Sequence, residues 1–384
     1  MPVNSFLLFF FWFIFSLLTY TYIVYPILIW LLGEIKFIYS EPESNYKPSV
    51  TLLIAAYNES AIIKKKIENS LALDYPSEKL DIVVVSDGST DDTEKVVNEF
   101  NLNNVSLHKI SKRVGKTEAQ NRGVKKSRGE IIVFSDANAM YEPDAILQLV
   151  KHFIDDSVGC VSGKLSYAES SSVKTTAEFE KDYWQIEQWM KSAESKLSIL
   201  TGANGSIYAV RRESYVKLNA DIISDFIEPL LVVLNGKKFL YEPLAVSLES
   251  SSKNLWNEFK RKRRIVKRSI HGLLQNKRLL NPARVGFLSI ALISHKVLRW
   301  LTPIFVIFLV ISSSLLMNSF FYSITFYSIV VLFSLGIVGI LLPSKLLPNF
   351  IGSLAYLVAI LVADLLALLE TIFGRVETYW TPKR

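Results

Sequence analysis

Hydrophobic positions fall into three regimes along this chain. Residues 1–33 and 300–344 contain no Asp, Glu, Lys or Arg, while the segment between them alternates short apolar runs with polar turns and amphipathic stretches. A bilayer core of about 30 Å takes about 20 helical residues, so the apolar stretch 5–33 suffices for one crossing. It lacks a basic leading segment and a small-residue cleavage site, so it reads as a retained anchor rather than a signal peptide. The stretch 300–344 exceeds one crossing. A break at Met317-Asn318-Ser319 predicts helices near 297–317 and 320–342, and the segment 343–348, with two prolines and Lys345, precedes a third near 350–373. Asp364 and Glu370 lie in that third helix. Acids inside a span suggest function by default, but Glu370 is near enough to the end to reach the interface and Asp364 can face a helix bundle.

From residue 49 the middle segment reads strand, turn, helix, repeatedly. The continuous apolar run at 50–55 suits a parallel strand buried on both faces, and 82–85, 105–110 and 131–135 make three further strands. Helices are expected from Asn58-Glu59-Ser60 to about Ala72, from Asp91 and Asp92, and over 115–126. The fold class is α/β with a mostly parallel, Rossmann-like sheet. Ligands bind such sheets beyond the carboxyl ends of the strands. Those ends carry Tyr57-Asn58-Glu59, Asp87-Gly88-Ser89 and Asp136-Ala137-Asn138. Each cluster alone would serve as a helix cap or turn. Together they crowd carboxylates on one rim, which calls for a cation or ligand. No Gly-x-x-x-x-Gly-Lys-Ser/Thr loop is present, and no Gly-x-Gly-x-x-Gly follows the first strand. A nucleoside diphosphate here would therefore need a divalent cation, Mg²⁺ or Mn²⁺, on Asp and Asn oxygens.

Composition narrows the class. The chain has 384 residues, 50% hydrophobic and 21% charged, with a mean hydropathy of +0.27. That excludes a disordered chain and a simple soluble enzyme. Cys160 alone excludes an internal disulfide or a cysteine zinc site, and its apolar neighbours make it a core residue. The four histidines are scattered. The domain organisation is an N-terminal membrane helix (1–36), the α/β domain (48–255), a basic amphipathic interface region (256–284) and about three membrane helices (295–374). Lys36 and Lys47 after the first span, and Arg284, Lys296 and Arg299 before the second, place the domain in the cytoplasm at the inner membrane. Four crossings would then put Arg375, Lys383 and Arg384 outside, against the same rule, so the number of C-terminal crossings stays open.

Val50-Thr51-Leu52-Leu53-Ile54-Ala55-Ala56-Tyr57-Asn58-Glu59, Ser86-Asp87-Gly88-Ser89-Thr90-Asp91 and Ser135-Asp136-Ala137-Asn138 together resemble a family 2 glycosyltransferase of GT-A fold. Within that family the resemblance is to membrane-bound polysaccharide synthases of the cellulose, hyaluronan and poly-N-acetylglucosamine type. It implies donor contacts from Ala56, Tyr57, Glu59, Asp87 and Lys116. Asp136 and Asn138 stand where the family carries Asp-x-Asp, binding donor and metal, with Asn138 the weaker ligand. Thr201 to Ala209 resembles an acceptor loop, which assigns Gly202, Asn204 and Gly205 to the acceptor. Asp225 stands where the family has its catalytic base, with Asp221 and Glu228 as rivals.

Seven of the nine residues 260–268 are basic. Such a helix suits anionic lipid. Positions 261–265 also resemble the synthases' Gln-x-x-Arg-Trp motif, with Arg264 matching its arginine against the leaving diphosphate, and Arg261 and Ile265 replacing the glutamine and tryptophan on the acceptor side. The expectation is a membrane-bound, metal-dependent, inverting hexosyltransferase. It would move a sugar from a UDP-sugar to a glycan or lipid-linked acceptor in cell-surface polysaccharide synthesis, with membrane lipid but no nucleic acid as partner. A processive, translocating synthase, a nucleotidyltransferase and a non-catalytic nucleotide-sugar-binding scaffold are the alternatives.

Overall fold

The computed structural model describes residues 2–35, 45–168, 174–250, 255–342 and 348–374. Lys36, Lys345, Arg375, Lys383 and Arg384 lie outside the described residues. Eight strands form one sheet: β1 (Val50–Ala56), β2 (Leu80–Asp87), β3 (Val105–Ile110), β4 (Ile131–Asp136), β5 (Met140–Tyr141), β6 (Val158–Ala168), β7 (Ile207–Arg211) and β8 (Lys238–Ser250). Their order is β3-β2-β1-β4-β7-β6-β8-β5. Strands β1 to β4 are parallel, β7 joins antiparallel to β4, and β8 pairs parallel with β6. The helices before and within this domain are α1 (Pro2–Thr19), α2 (Tyr25–Ile35), α3 (Ile63–Leu71), α4 (Thr93–Asn98), α5 (Lys116–Lys126), α6 (Ala145–Val150), α7 (Lys174–Lys196) and α8 (Ser224–Leu234). After it come α9 (Leu255–Gln275), α10 (Pro282–Val285), α11 (Phe287–Leu292), α12 (Leu298–Leu315), α13 (Phe320–Leu341) and α14 (Asn349–Phe373).

The continuous apolar runs do what parallel strands require. Leu52 and Ile54 of β1 join a core with Ile63 and Ile67 of α3, while Leu53 joins a second core with Phe134, Ala119 and Tyr208 on the opposite face. Burial on both faces leaves no place for a polar alternation. The rim residues then emerge where the strands end. The first predicted helix starts later than expected, at Ile63. Asn58 adopts a left-handed backbone (φ 53°) and its Oδ1 accepts from the Thr90 amide at 2.8 Å, so the chain stays in a turn until Glu59 is passed.

Among the described residues four stretches are long and apolar enough to cross a membrane: Ser5–Ile35, Phe287–Leu315, Phe320–Leu341 and Asn349–Phe373. The first and second each contain one π-helical turn, Tyr20–Val24 and Ile293–Val297, a feature that often marks functional positions. The two turns meet. Tyr20 Oη lies 2.7 Å from Ser294 Oγ, and Tyr22 Oη lies 2.9 Å from Thr302 Oγ1.

Candidate active site

The donor side of the rim is built from two turns locked together. The Glu59 amide donates to Thr93 Oγ1 (2.8 Å) and the Ser60 amide to Asp91 Oδ2 (3.1 Å), so the Tyr57–Ser60 turn rides on the turn after β2. Asp87, at the end of β2, is buried and accepts from the amides of Val114 (2.7 Å) and Gly115 (2.9 Å). Burial lifts its carboxyl above the usual range despite those two donors. Its observed task is to hold the loop that launches α5. Gly88 (φ +69°) permits that approach, because a Cβ there would come within 2.8 Å of the Arg113 amide. Arg113 in turn lies over the Tyr57 ring, 3.6 Å from its centroid. A cationic aromatic shelf of this kind suits a base and its phosphates. The sequence pattern gave no sign of Arg113.

Lys116, the first residue of α5, makes an ion pair with Asp136 at the end of β4 and reaches toward the Gly205 carbonyl at 3.4 Å. Burial works against its charge, but Asp136 and Asp225 outweigh it and raise its pKa. Asn138 donates to Glu249 of β8 at 3.4 Å. Burial and then the charge of Asp136 push Glu249 up to about 7. Glu249 was missed at the sequence level because β8 reaches this rim from more than 100 residues away. Beneath the turn, Lys66 is wholly buried, donates to the Ala139 carbonyl at 2.5 Å and sits 3.9 Å from the centre of the Tyr141 ring. Burial lowers it to about 7.

Among the described residues no group of three or more His, Cys, Asp or Glu side chains could hold a metal. The donor set still fits one whose remaining ligands come from phosphates. Mg²⁺ is commonly held by one or two carboxylates plus substrate oxygens. Asp136 and Asn138 supply hard oxygens, and the mutual repulsion of Asp136 and Glu249 is what a cation would relieve.

The acceptor loop is fastened from beneath. Asn204 accepts from Lys191 Nζ at 2.5 Å, its amide nitrogen donates to Ser162 Oγ at 2.9 Å, and its side-chain amide donates to the Gly163 carbonyl. The structure thus gives Asn204 an internal role. Glu194, one turn along α7, accepts from the Thr201 amide and hydroxyl at 3.2 and 2.9 Å. The same stripe of α7 grips the second apolar stretch. His295 is wholly buried, its Nδ1 2.5 Å from Glu194 and its Nε2 3.1 Å from Glu187, and Lys296 and Arg299 add ion pairs to Glu187. Spacing 187, 191, 194 puts all three side chains on one helix face. The loop's position is therefore tied to the apolar stretch Phe287–Leu315.

Asp225 sits in the first turn of α8, where the helix dipole favours a carboxylate. It is partly exposed. Burial raises its pKa, with Lys116 opposing and Asp136 adding to the rise. Gly205 packs directly on it: an added Cβ would lie 2.3 Å from Asp225 Oδ2, and one at Gly202 would lie 3.3 Å from the Phe226 ring. Gly205→Ala should therefore displace the carboxylate and lower kcat at least tenfold, with the donor Kd unchanged by calorimetry. Unaltered turnover would free the loop from this role.

The rival carboxylates are occupied elsewhere. Asp221 accepts from Gln275 at 3.1 Å and lies 2.7 Å from His271 Nε2. Glu228 is 0% exposed within the core, and burial pushes it up to about 8. Its folded pKa exceeds the unfolded one, so the stability this neutral carboxyl allows is fully present below about pH 4.5 and is lost as pH rises through about 8. Wild-type thermal stability should fall between pH 5 and 8, and Glu228→Gln should flatten that slope. Equal slopes would show that Glu228 does not titrate there.

Helix α9 gives most of its basic side chains partners within the protein. Arg261 pairs with Glu258 at 2.8 Å and approaches Tyr167 Oη at 3.4 Å. Arg268 donates to the carbonyls of Ala220 (3.0 Å) and Ile222 (2.6 Å), and Arg263 and Lys267 pair with Glu370. Arg264 is packed into the site; burial and then Arg268 lower it to about 10 while the charges of Asp136 and Asp225 hold it up.

Sheet order and the carboxylates gathered at the carboxyl ends of the strands define a Rossmann-like GT-A fold. Residues 51–218 match the model of glycosyl transferase family 2, and this segment is a family 2 glycosyltransferase domain. The chain is 26% identical over 242 residues to poly-beta-1,6-N-acetyl-D-glucosamine synthase of Staphylococcus aureus, covering 59% of this chain. It is 29% identical over 234 residues to "Probable glycosyltransferase YdaM" of Bacillus subtilis, covering 56%. It spans 58% and 54% of the length of these relatives. Among solved structures, the mannosyltransferase PcManGT from Pyrobaculum calidifontis, in complex with GDP-Man and Mn²⁺, shares the fold with a TM-score of 0.71 at 19% identity, over 95% of this chain and 99% of that one.

Proposed function

We propose that this protein is a membrane-bound, inverting glycosyltransferase that moves a sugar from a nucleoside-diphosphate donor, a UDP-sugar in this reading, to a hydroxyl of a glycan or lipid-linked acceptor. The observation that carries the proposal is the convergence of Asp136, Lys116, Arg264 and Asp225 on one rim beside a loop tied through Glu194 and His295 to an apolar helix. Tyr57 and Arg113 hold the base end of the donor. Lys116 and Arg264 meet the diphosphate and stabilise the charge that develops as it leaves. A divalent cation held by Asp136 and Asn138 would supply Lewis-acid neutralisation of the same phosphates. The Thr201–Ala209 loop presents the acceptor hydroxyl to Asp225, which takes its proton as the oxygen attacks the anomeric carbon. Asp221 and Glu228 are poorly disposed for that step, one held by His271 and Gln275 and the other sealed in the core.

Because Asp225 lies above the ordinary carboxylate range, the acidic limb of kcat/KM should fall above pH 4 and rise with pH as the base is freed. A flat profile between pH 4 and 7 would count against Asp225. The reading itself is tested by incubating purified protein with UDP-glucose, UDP-N-acetylglucosamine, UDP-galactose and GDP-mannose. Metal-dependent release of nucleoside diphosphate from at least one is expected. Nucleotide binding without turnover of any donor would favour the non-catalytic scaffold.

The four apolar helices support a membrane location, with the catalytic domain cytoplasmic in this reading. Residues 300–344 offer few polar side chains, thin for a sugar channel when unsatisfied polar groups in lipid cost several kcal/mol each. Short or single additions follow. Sizing the labelled product made in bilayers checks this, and long polymer inside the vesicle lumen would establish the translocating alternative.

A further inference from the structure

Helix α14 has the length and hydropathy of a membrane span, yet both of its halves are bound to segments on the domain's side of the molecule. From Ala359 onward it runs along α9: Phe259 clusters with Ala359 and Ala363, and Glu370 pairs with Arg263 and, at 3.2 Å, Lys267. Over this stretch α9 lies on the soluble domain, since Arg261 approaches Tyr167 and Arg268 binds the carbonyls of Ala220 and Ile222. Ala367 falls in the same buried cluster as Phe226 of α8 and Trp300 at the start of α12. The N-terminal half of α14 packs on the last turns of α13, with Gly336 against Leu354 and Val358 and Gly339 against Ile351 and Ala355.

The number of crossings follows from parity. On the membrane reading proposed above, α1 and α2 bring the chain to the domain's side, and α11 and α12 take it away. A tight turn, in which the Ser319 amide donates to the Leu316 carbonyl, reverses it. Helix α13 then returns: Tyr322 packs on Phe11 at 4.8 Å near the far side, and Ile329 packs on the cluster of Phe305 and Leu309. A further crossing by α14 would carry Glu370 about 30 Å from Arg263, the thickness of the hydrocarbon. Ion pairs do not reach that far.

We infer that α14 does not cross the bilayer but lies in the membrane surface alongside α9, so that the chain crosses three times. Half of its most apolar 18-residue window is buried inside the protein, against 11% for α13. Its exposed Phe350, Leu357, Leu369 and Phe373 form the lipid-facing side of this bracket. The basic residues that follow in sequence, Arg375, Lys383 and Arg384, then obey the positive-inside rule that a fourth crossing breaks. The bracket also has a catalytic consequence, because Glu370 braces the outer face of the helix whose inner face brings Arg264 to the site.

Single cysteines test the inference in the full-length chain, because native Cys160 is buried and gives the unlabelled background. Lys125→Cys on α5, Ser319→Cys in the α12–α13 turn and Lys383→Cys would be labelled in sealed membrane vesicles with an impermeant maleimide applied to one face, then the other. Residues 125 and 319 are both exposed. Position 383 should label with 125 and opposite to 319. Labelling of 383 from the same face as 319 would overturn the in-plane helix while leaving the other spans intact. Labelling of 125 and 319 from one face would overturn the membrane reading beneath it.

Discussion

Asp225→Asn should lower kcat by about 10²- to 10⁴-fold, the range of general base catalysis, while leaving the donor Kd within about twofold. The substitution changes shape little, and the backbone carbonyl of Asp225 still accepts from the Ala203 amide at 3.0 Å. What disappears is an oxygen that can accept a proton from the acceptor. The amide also removes a negative charge beside Lys116 and Asp136, so donor affinity should hold or improve slightly. Stopped assays with saturating donor give kcat, and calorimetry gives Kd. Near-normal kcat in Asp225→Asn, with loss in Asp221→Asn, would move the base to the other end of the loop.

Asp136→Ala should abolish turnover and weaken donor binding together, separating it from Asp225→Asn. The substitution removes the partner of Lys116 and the carboxylate best placed for a cation. It also relieves Glu249, whose rise to about 7 owes part of its size to Asp136. Chelation of wild-type protein should silence it in the same way, with recovery on adding Mg²⁺ or Mn²⁺. Full turnover in excess chelator would take the metal out of the reaction and leave Lys116 and Arg264 as the diphosphate's counter-charges.

Much of the candidate rim was legible in sequence because parallel strands announce themselves. Residues 52–56, 82–85 and 131–134 are apolar without alternation, and the polar residues that follow them lie at the carboxyl ends, where Asp87 and Asp136 are found. What was not legible depended on chain segments meeting from far apart. Glu249 and Lys191 sit in ordinary strand and helix patterns, and nothing local distinguishes them from surface charges. Lys66 follows two other lysines and reads as solvated, yet it is the one that turns inward beneath Ala139. The basic helix shows the same limit. Its charge density predicts lipid contact, but Glu370, Glu258 and the carbonyls of residues 220–222 claim most of it, and only the packing of α14 reveals that. Asp87 and Asn204 carry family-like motifs, and here their hydrogen bonds fasten loops rather than point into open space.

The most direct test of the account is the anomeric configuration of the first product. Proton NMR of the product made by purified protein from its preferred α-linked donor and acceptor should show a β-glycosidic linkage. That signal should vanish in Asp225→Asn. An α-linked product would contradict a single in-line displacement with Asp225 as base.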